Sequence, residues 1–341
     1  MSVEQVNDQF PHVKTSLVDV TDKLPFKPPC RIYFKNEMEQ PCGSFKLRGI
    51  GYMIKTSVER LRLQGKTKIQ VFASSGGNAG LSAAYSSRLL GIKCTIGVPR
   101  ATKKHIIEKL QEYGAEVLMY GDSINEADGH LQRKMNSLDK SIETLYCHPF
   151  ENELVWEGHT TMIDEIAEQL PDPKKFKGLV CSVGGGGLYN GLMRGLKRRN
   201  LKTDILLIEP NQAPTFRETI KRKEIFLLDD VKSVATSLAC SFLSKQSLDY
   251  YLDQSLQKTY LESIDDLETI KGLVNHYKYF NQIVEPACGA AVSTVFNQLP
   301  LLYKNFDVKA DDIIVIVVCG GSCTNEEDLQ EFMNLVSKSK F

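Results

Sequence analysis

The sequence lacks a net charge, an apolar run long enough to span a bilayer and any regular spacing of cysteines. Its 42 Lys and Arg residues balance 42 Asp and Glu residues, so it carries no electrostatic footprint for nucleic acid or an anionic membrane. No apolar stretch approaches the roughly 20 residues of a membrane-spanning helix. The sequence therefore predicts neither a nucleic-acid-binding protein nor a membrane protein.

The cysteines and histidines also lack the patterns of disulfide frameworks and zinc sites. The nine cysteines are odd in number and contain no C-x-x-C pair, and the six histidines form no H-E-x-x-H pattern. Both observations favour reduced thiols in a reducing compartment. The first ten residues, MSVEQVNDQF, include acidic residues and no apolar segment, so no signal peptide is expected. We therefore expect a cytoplasmic protein.

Strands and helices are predicted to alternate in the middle of the chain. The apolar segments KIQVFASS (68–75) and KCTIGVP (93–99) are typical of strands, and a helix is predicted between them over 79–90. A second helix, over 103–114, ends on a glycine. This alternation is typical of a parallel sheet with crossover helices.

The same pattern begins again further along the chain. The segments 178–183, 204–210 and 311–321 are rich in Ile, Leu and Val without polar alternation, as in a fully buried parallel sheet. A helix with Leu188, Leu192 and Leu196 on one face follows the first of them. The pattern predicts two α/β units with boundaries near Gly49 and Pro149, and we interpret the N-terminal segment as part of the C-terminal unit.

Two glycine-rich loops each join a predicted strand to a predicted helix. They are SSGGNAG (74–80) and GGGG (184–187). Loops at the carboxyl ends of parallel strands are where open α/β sheets bind ligands, and the N–H groups of a helix N-terminus favour an anion. The second loop therefore predicts an anion site, with a flexible turn as the alternative. In the first loop we expect Asn78 to be the helix N-cap.

A dinucleotide site is the main rival for the GGGG loop. Glu209 ends the next strand at a suitable distance, but a G-x-G-x-x-G pattern that starts at Gly185 meets Asn190 at its last position. No G-x-x-x-x-G-K-[ST] loop occurs either. Half of a fingerprint is weak support for a dehydrogenase, which stays a remote alternative.

The stretch QPCGSFKLRG (40–49) places Lys46 among small and apolar neighbours, next to a turn signal. A lysine in such surroundings is either a solvated charge or an amine kept dry for chemistry, and the stretch alone does not decide between the two. We expect Arg48 and Gly49 to begin the following helix, and we interpret Arg48 as structural.

Five motifs in order resemble one family. They are G-S-F-K-x-R-G, S-S-x-G-N-A-G, S-V-G-G-G-G-L, E-P-A-C-G-A-A and C-G-G-S, and W-E-G-H also matches in place. In this order they resemble the pyridoxal-phosphate (PLP) enzymes of fold type II, the tryptophan-synthase-β-like fold. Within that group the sequence is most similar to the short eukaryotic L-serine dehydratases and L-threonine deaminases, from about His12 to the last motif.

The resemblance implies an α/β fold of two domains, each an open, twisted, mostly parallel sheet flanked by helices. The large PLP-binding domain would comprise 1–49 plus 150–341, and the small substrate-loop domain would comprise 50–149. The resemblance also implies a homodimer and an amino acid as the small-molecule partner. Only 19 residues follow Ser322, so we expect no C-terminal regulatory domain and a role in catabolism, with gluconeogenesis as its setting.

The family's residue roles carry over onto matching positions. Lys46 would bind PLP as a Schiff base and act as the base for the α-proton. The resemblance implies that Phe45 packs on the cofactor ring, Asn78 binds its 3′-oxygen and Cys319 faces its nitrogen. The phosphate would be held by Gly184, Gly185, Gly186 and Gly187. The substrate carboxylate site would comprise Ser75, Gly76, Gly77 and Ala79. A monovalent cation such as potassium would be bound by Glu209, Ala213, Leu238 and Cys240, although SLACSF (237–242) departs from the family's usual leucine-glycine.

The implied reaction converts L-serine to pyruvate and ammonia, or L-threonine to 2-oxobutyrate and ammonia, by α,β-elimination. Gly76 bears on the alternatives. Related racemases have a serine here that serves as a second acid or base, whereas the short dehydratases usually have alanine. We expect glycine to enlarge the pocket and loosen the loop. A racemase, a β-replacement synthase and a non-catalytic relative that binds PLP or an amino acid remain alternatives.

Overall fold

The computed structural model describes residues 10–229, 231–255 and 257–339. The chain divides into two compact units. One comprises residues 10–13 together with Gln40–His159, and the other comprises Lys14–Glu39 together with the described residues from Thr160 onward. Both units are α/β, which confirms the predicted fold class. The division into domains 1–49 plus 150–341 and 50–149 stays a prediction.

The elements follow one another in a regular order. The strands are β1 (Leu17–Asp19), β2 (Arg31–Asn36), β3 (Ile69–Ser74), β4 (Lys93–Val98), β5 (Glu116–Met119), β6 (Glu143–Tyr146), β7 (Phe176–Ser182), β8 (Asp204–Pro210), β9 (Thr259–Ile264) and β10 (Ile313–Val318). The α-helices are α1 (Lys46–Leu63), α2 (Asn78–Leu89), α3 (Lys104–Glu112), α4 (Ile124–Asn136), α5 (Glu153–Gln169), α6 (Gly187–Arg198), α7 (Thr215–Arg222), α8 (Lys245–Leu252), α9 (Asp266–Phe280), α10 (Pro286–Val292), α11 (Pro300–Asn305) and α12 (Glu326–Lys338).

The first unit is built on a four-stranded sheet in the order β5-β4-β3-β6, with every pair parallel. Its interior strand β3 is buried along its whole length, as expected of a parallel sheet covered by helices. Helices α2 and α4 pack on β3 and β4, and α1 packs on α2. The strands β3 and β4 therefore end side by side, and Ser75 N donates to Gly97 O across them (3.1 Å).

The second unit is built on a six-stranded sheet in the order β1-β2-β10-β7-β8-β9. Only β1 pairs antiparallel among the strands of the described residues; the other neighbours are parallel. Strand β10 has the sequence IIVIVV and is buried throughout. Helix α10 packs on β7, β8 and β10, and α9 packs on α10. The core of this unit therefore lies around β10 and β7.

Most predicted elements are confirmed within one or two residues. The strand predicted over 204–210 has those bounds, and Leu188, Leu192 and Leu196 are all buried on α6. The strand predicted over 311–321 is shorter, because the chain leaves the sheet after Val318. In the part of the chain that the structure describes, no helix combines the length and apolar character needed to cross a membrane.

Candidate active site

Lys46 is the first residue of α1 and is half-buried. Its Nζ donates a hydrogen bond to the carbonyl oxygen of Pro149 (2.8 Å) and lies 5.3 Å from the centre of the Phe45 ring. The prediction that this helix begins at Arg48 and Gly49 is wrong. The chain turns at Gly43, which has a φ of +74°, and becomes helical early enough to include Lys46. The interpretation of Arg48 as structural fits its complete burial in α1.

The imidazole of His159 packs against the Phe45 ring. In the sequence, only the motif W-E-G-H points to His159. The two ring centres are 5.2 Å apart, and the imidazole is fully buried. Burial, with the charge of Lys46 as a further cause, holds the pKa of His159 well below its usual range. A β-carbon at Gly49 would lie 2.6 Å from His159 Nε2, so glycine permits the close approach of α1 to this imidazole. His159 is therefore a neutral, buried side chain that packs against Phe45.

The turn that follows β6 supplies the acceptor for Lys46. The carbonyl of Pro149 accepts from Lys46, and the next carbonyl, that of Phe150, accepts from Trp156 Nε1 (2.6 Å). Trp156 is buried on α5. Two successive carbonyls of this turn are thus oriented by side chains from two different helices.

The loop between β3 and α2 contains the predicted substrate site. Ser75 Oγ accepts from Gly77 N (3.3 Å) and closes a small turn. Among the described residues, the N–H groups of Gly76 and Ala79 donate no hydrogen bond. Unpaired N–H groups at the first turn of a helix suit a carboxylate. The predicted N-cap is wrong: Gly77 is the N-cap, and Asn78 is the first helical residue because its backbone is already helical.

Gly76 does not leave open space, contrary to expectation. A β-carbon built on Gly76 would lie 2.7 Å from Thr102 Oγ1 and 2.9 Å from Thr102 Cγ2. Thr102 lies in the turn after β4, where its N–H donates to Pro99 O (3.1 Å). The volume of the absent side chain is therefore occupied by Thr102, a residue that the sequence did not single out.

In the second unit, the predicted phosphate loop joins β7 to α6. Gly186 is the N-cap of α6 with a φ of +91°, a conformation that L side chains rarely adopt. Within the residues that the structure describes, the N–H groups of Gly184–Gly187 donate no hydrogen bond to the protein. A glycine loop with four unpaired N–H groups at a helix N-terminus fits a phosphate group.

A buried polar network holds this loop from behind. Ser244 N donates to Gly185 O (3.0 Å), and Ser247 Oγ lies 3.2 Å from Gly186 O. Asn190 joins the two serines: its Nδ2 donates to Ser244 Oγ (2.9 Å), and its Oδ1 accepts from Ser247 Oγ (2.7 Å). All three side chains are fully buried. Neither the two serines nor the role of Asn190 was predicted, because the contacts join residues more than 50 positions apart.

Cys319 follows β10 and is buried. Its thiol donates weakly to Val317 O (3.7 Å). Burial, assisted by the neighbouring thiols of Cys288 and Cys181, raises the pKa of Cys319 well above its usual range. The group is therefore a neutral thiol, the form that the predicted role beside a pyridine nitrogen requires.

The four predicted cation ligands lie in the second unit. Glu209, at the end of β8, is buried and accepts from Phe216 N (3.0 Å), Arg217 N (3.2 Å) and Ser263 Oγ (3.1 Å). Burial raises the pKa of Glu209 to about 7 despite these donors. The carbonyl of Leu238 accepts from Cys240 N, and that of Cys240 accepts from Thr215 Oγ1; Ala213 is buried. No group of three or more His, Cys, Asp or Glu side chains suited to a metal occurs in the described ranges.

Each unit carries part of the predicted PLP site. The first carries Lys46, Phe45, Asn78 and the carboxylate loop; the second carries the glycine loop and Cys319. A lysine amine can bind PLP as a Schiff base, unpaired N–H groups can bind its phosphate, and a neutral thiol can lie beside its ring nitrogen. The residues present therefore fit this cofactor, although the role of each stays a prediction.

Comparison with known proteins agrees with this fit. The sequence model of one family, described as pyridoxal-phosphate dependent enzyme, matches residues 13–320. A Saccharomyces cerevisiae protein named catabolic L-serine/threonine dehydratase is 40% identical over 325 residues, which is 92% of this chain and 89% of that protein. A Mus musculus protein named L-serine dehydratase/L-threonine deaminase is 33% identical over 324 residues, or 94% of each chain.

A solved structure is also similar to this chain. The crystal structure of a fungal L-serine ammonia-lyase from Rhizomucor miehei superposes with a TM-score of 0.84 at 27% identity, over 96% of this chain and 99% of that one. The family match covers most of the sequence, and the relatives above 30% identity are matched along nearly their whole length. This chain therefore belongs to the family of pyridoxal-phosphate dependent enzymes.

Proposed function

We propose that the protein is a PLP-dependent dehydratase that converts L-serine to pyruvate and ammonia and L-threonine to 2-oxobutyrate and ammonia. The observation that carries the proposal is the 40% identity, over 325 residues, to a protein named catabolic L-serine/threonine dehydratase. Lys46, with its amine held at the start of α1, supports it from the structure.

The residues that would hold the cofactor follow from their chemistry. Lys46 would bind PLP covalently through Nζ, and the N–H groups of Gly184–Gly187 would bind its phosphate. Phe45 would pack on the ring, Asn78 would donate to the 3′-oxygen and the neutral thiol of Cys319 would face the ring nitrogen. When bound, PLP supplies an electron sink that makes the α-proton of an amino acid acidic.

The chain's own groups would bind the substrate and move its proton. The N–H groups of Gly76 and Ala79, with Ser75 and Gly77, would bind the substrate carboxylate and so fix the direction of its Cα–H bond. The Lys46 amine, when it is not bonded to the cofactor, is the base for that proton. Loss of the β-hydroxyl as water and hydrolysis of the resulting enamine give the 2-oxo acid and ammonia, so one water leaves and one is consumed.

Gly76 supports dehydration over racemisation. A racemase must deliver a proton to the opposite face of Cα, and a residue without a side chain offers no group for this at position 76. The solved structures of racemases that resemble this chain share 21% to 22% identity with it and inform the fold alone. We therefore propose an α,β-elimination that uses a single base.

The proposal extends to the cellular compartment, the metabolic role, the oligomeric state and the bound cation. All nine cysteines are thiols and not disulfides, and seven of them are buried, which supports a reducing compartment such as the cytoplasm. A role in amino-acid catabolism, with gluconeogenesis as its setting, and a homodimeric state follow from the family resemblance. Potassium at Glu209, Ala213, Leu238 and Cys240, and the roles of PLP-binding and substrate-loop domains, are proposed on the same basis.

The test is a coupled assay of 2-oxo acid release from L-serine and L-threonine. We expect wild-type protein to act on both, Lys46→Ala to release no oxo acid above background, and Lys104→Ala, which changes an exposed lysine of α3, to keep wild-type turnover. A Lys46→Ala variant with wild-type turnover would refute the mechanism. Oxo acid released only as a minor product beside a β-substituted amino acid would point to a β-replacement synthase.

A further inference from the structure

The Lys46 amine donates a hydrogen bond to the carbonyl oxygen of Pro149. The donor and acceptor are 103 residues apart in the chain and meet at 2.8 Å. A lysine side chain has about 2 kcal/mol of rotamer entropy to lose on being fixed. Whatever fixes the Pro149 carbonyl therefore helps to fix the position of the Lys46 amine.

The carbonyl is fixed by the imidazole of the preceding residue. Nδ1 of His148 accepts from Phe150 N (3.3 Å) and from Glu151 N (2.9 Å). These two bonds close the turn around Pro149, in the way that an aspartate or asparagine side chain closes a turn on its own backbone. An acceptor nitrogen cannot carry a proton, so the imidazole is in the tautomer protonated on Nε2.

The surroundings of His148 keep that nitrogen available. The imidazole packs edge-on against Phe150 (ring centres 4.7 Å apart) and is tilted by 60° relative to the ring of Tyr146 (ring centres 6.5 Å apart). Burial is the main cause that lowers the pKa of His148 to about 4; the charge of Lys46 lowers it further and that of Asp128 opposes this. The ring is thus neutral and an acceptor throughout the physiological range.

We propose that His148 is a positioning residue for Lys46: its imidazole closes the turn that presents the Pro149 carbonyl, and that carbonyl holds the Lys46 amine where it can take the substrate's α-proton. The inference rests on the proposed role of Lys46 as the base. The proposed role requires only that the side chain at position 148 accepts hydrogen bonds from the backbone N–H groups of the turn.

Two substitutions separate this role from simple packing. His148→Asn keeps an acceptor able to close the turn, whereas His148→Leu fills the space without one. We expect His148→Leu to lower kcat about ten-fold with little change in KM, since a misplaced base costs turnover before binding, and we expect His148→Asn to stay near wild type. His130→Leu, at the partly exposed His130 of α4, controls for a histidine-to-leucine change in the same unit.

A second readout does not depend on catalysis. In full-length protein freed of cofactor, the rate of acetylation of Lys46, followed by mass spectrometry as a function of pH, reports the protonation of its amine. The carbonyl favours the ammonium form, so loss of the hydrogen bond should shift the midpoint about one pH unit lower in His148→Leu. The midpoint should not move in His148→Asn or His130→Leu.

The outcomes decide between the possibilities. Equal midpoints in wild type and His148→Leu, or equal losses of kcat in the Asn and Leu variants, would overturn the inference. If His148→Leu does not fold, the ring-nitrogen chemical shifts of His148 in wild-type protein decide: an imidazole protonated on Nδ1 near neutral pH overturns it. If wild-type protein releases no oxo acid, the proposed function fails, yet the acetylation midpoints still test the link from His148 to Lys46.

Discussion

Thr102 occupies the space in which Gly76 would otherwise carry a side chain, with its Oγ1 2.7 Å and its Cγ2 2.9 Å from the position of a β-carbon there. The two residues lie in the loops that follow adjacent strands, β3 and β4. The branch atoms of Thr102, and not its Cβ at 3.4 Å, make the approach too close. The two positions should therefore be coupled energetically.

Gly76→Ala is expected to lower kcat/KM about ten-fold, because overpacking a tight contact costs about 1–3 kcal/mol. Thr102→Ala removes both branch atoms and leaves an ordinary contact. The double variant should therefore recover most of the loss, which a double-mutant cycle on steady-state kinetics would measure. Independent, additive effects of the two substitutions would show that Thr102 does not restrict position 76.

Chiral analysis of L-serine turnover is expected to show little D-serine, because Gly76 has no side chain to act on the second face of Cα. A serine at position 76, accommodated by Thr102→Ala, should raise the D-serine fraction above that of wild type and of Thr102→Ala alone. Abundant D-serine from wild-type protein would contradict the assignment of single-base elimination and would make the Thr102 hydroxyl the first group to investigate.

The raised pKa of Glu209 predicts that the free energy of unfolding depends on pH. The folded pKa of about 7 lies above the ordinary value of 4.5, so the folded state binds the proton more tightly than the unfolded chain. Stability should therefore decrease as pH rises from about 4.5 to about 7, by about 3 kcal/mol from this group. Urea unfolding at pH 5 and pH 8 should show this decrease in wild type and a smaller one in Glu209→Gln.

The same carboxyl offers a test of the proposed cation. A potassium ion at Glu209 would favour the ionised carboxylate, so potassium chloride should raise the melting temperature of wild type more at pH 8 than at pH 5, relative to lithium chloride. Glu209→Gln should lose this difference. Equal stability and equal activity in the two salts would count against a cation site.

Asn190 should control the affinity of the glycine loop for a phosphate group. Asn190→Ala removes the side chain that joins Ser244 and Ser247 and leaves two buried hydroxyls without that partner, at a cost of about 1–3 kcal/mol. We expect a lower melting temperature and roughly ten-fold weaker binding of PLP, measured by equilibrium dialysis. Asn334→Ala, at an exposed position of α12, is the control. Unchanged affinity in Asn190→Ala would mean that the loop holds its shape unaided.

The sequence predicts best where function and local structure use the same residues. The glycine loops, Lys46 and the strand β8 were all visible because their signals are short stretches of chain. Strands β2 (RIYFKN) and β9 (TYLESI) were not predicted, because their polar residues interrupt the apolar runs that identify a fully buried strand. Local pattern thus identifies the fully buried elements and the ligand loops.

The features of the site that the sequence did not predict depend on contacts between residues far apart in the chain. Three such contacts are the approach of Thr102 to Gly76, the hydrogen bond from Lys46 to Pro149 and the network around Asn190. They form only when distant loops come together in the folded protein, so no local sequence pattern predicts them. The expectation of an enlarged pocket at Gly76 was wrong for this reason: an absent side chain indicates empty space only if no neighbour fills it. A single sequence shows which residue is small but not what lies beside it.

The hydrogen bond between Trp156 and the carbonyl of Phe150 has a practical consequence. Trp156 is the only tryptophan in the chain, so the tryptophan fluorescence comes from this one indole, which is buried against the turn that bears the Pro149 acceptor. Rearrangement of that turn should alter the emission without any added label. The protein therefore contains its own optical reporter, and stopped-flow fluorescence could follow movements around Lys46 in real time.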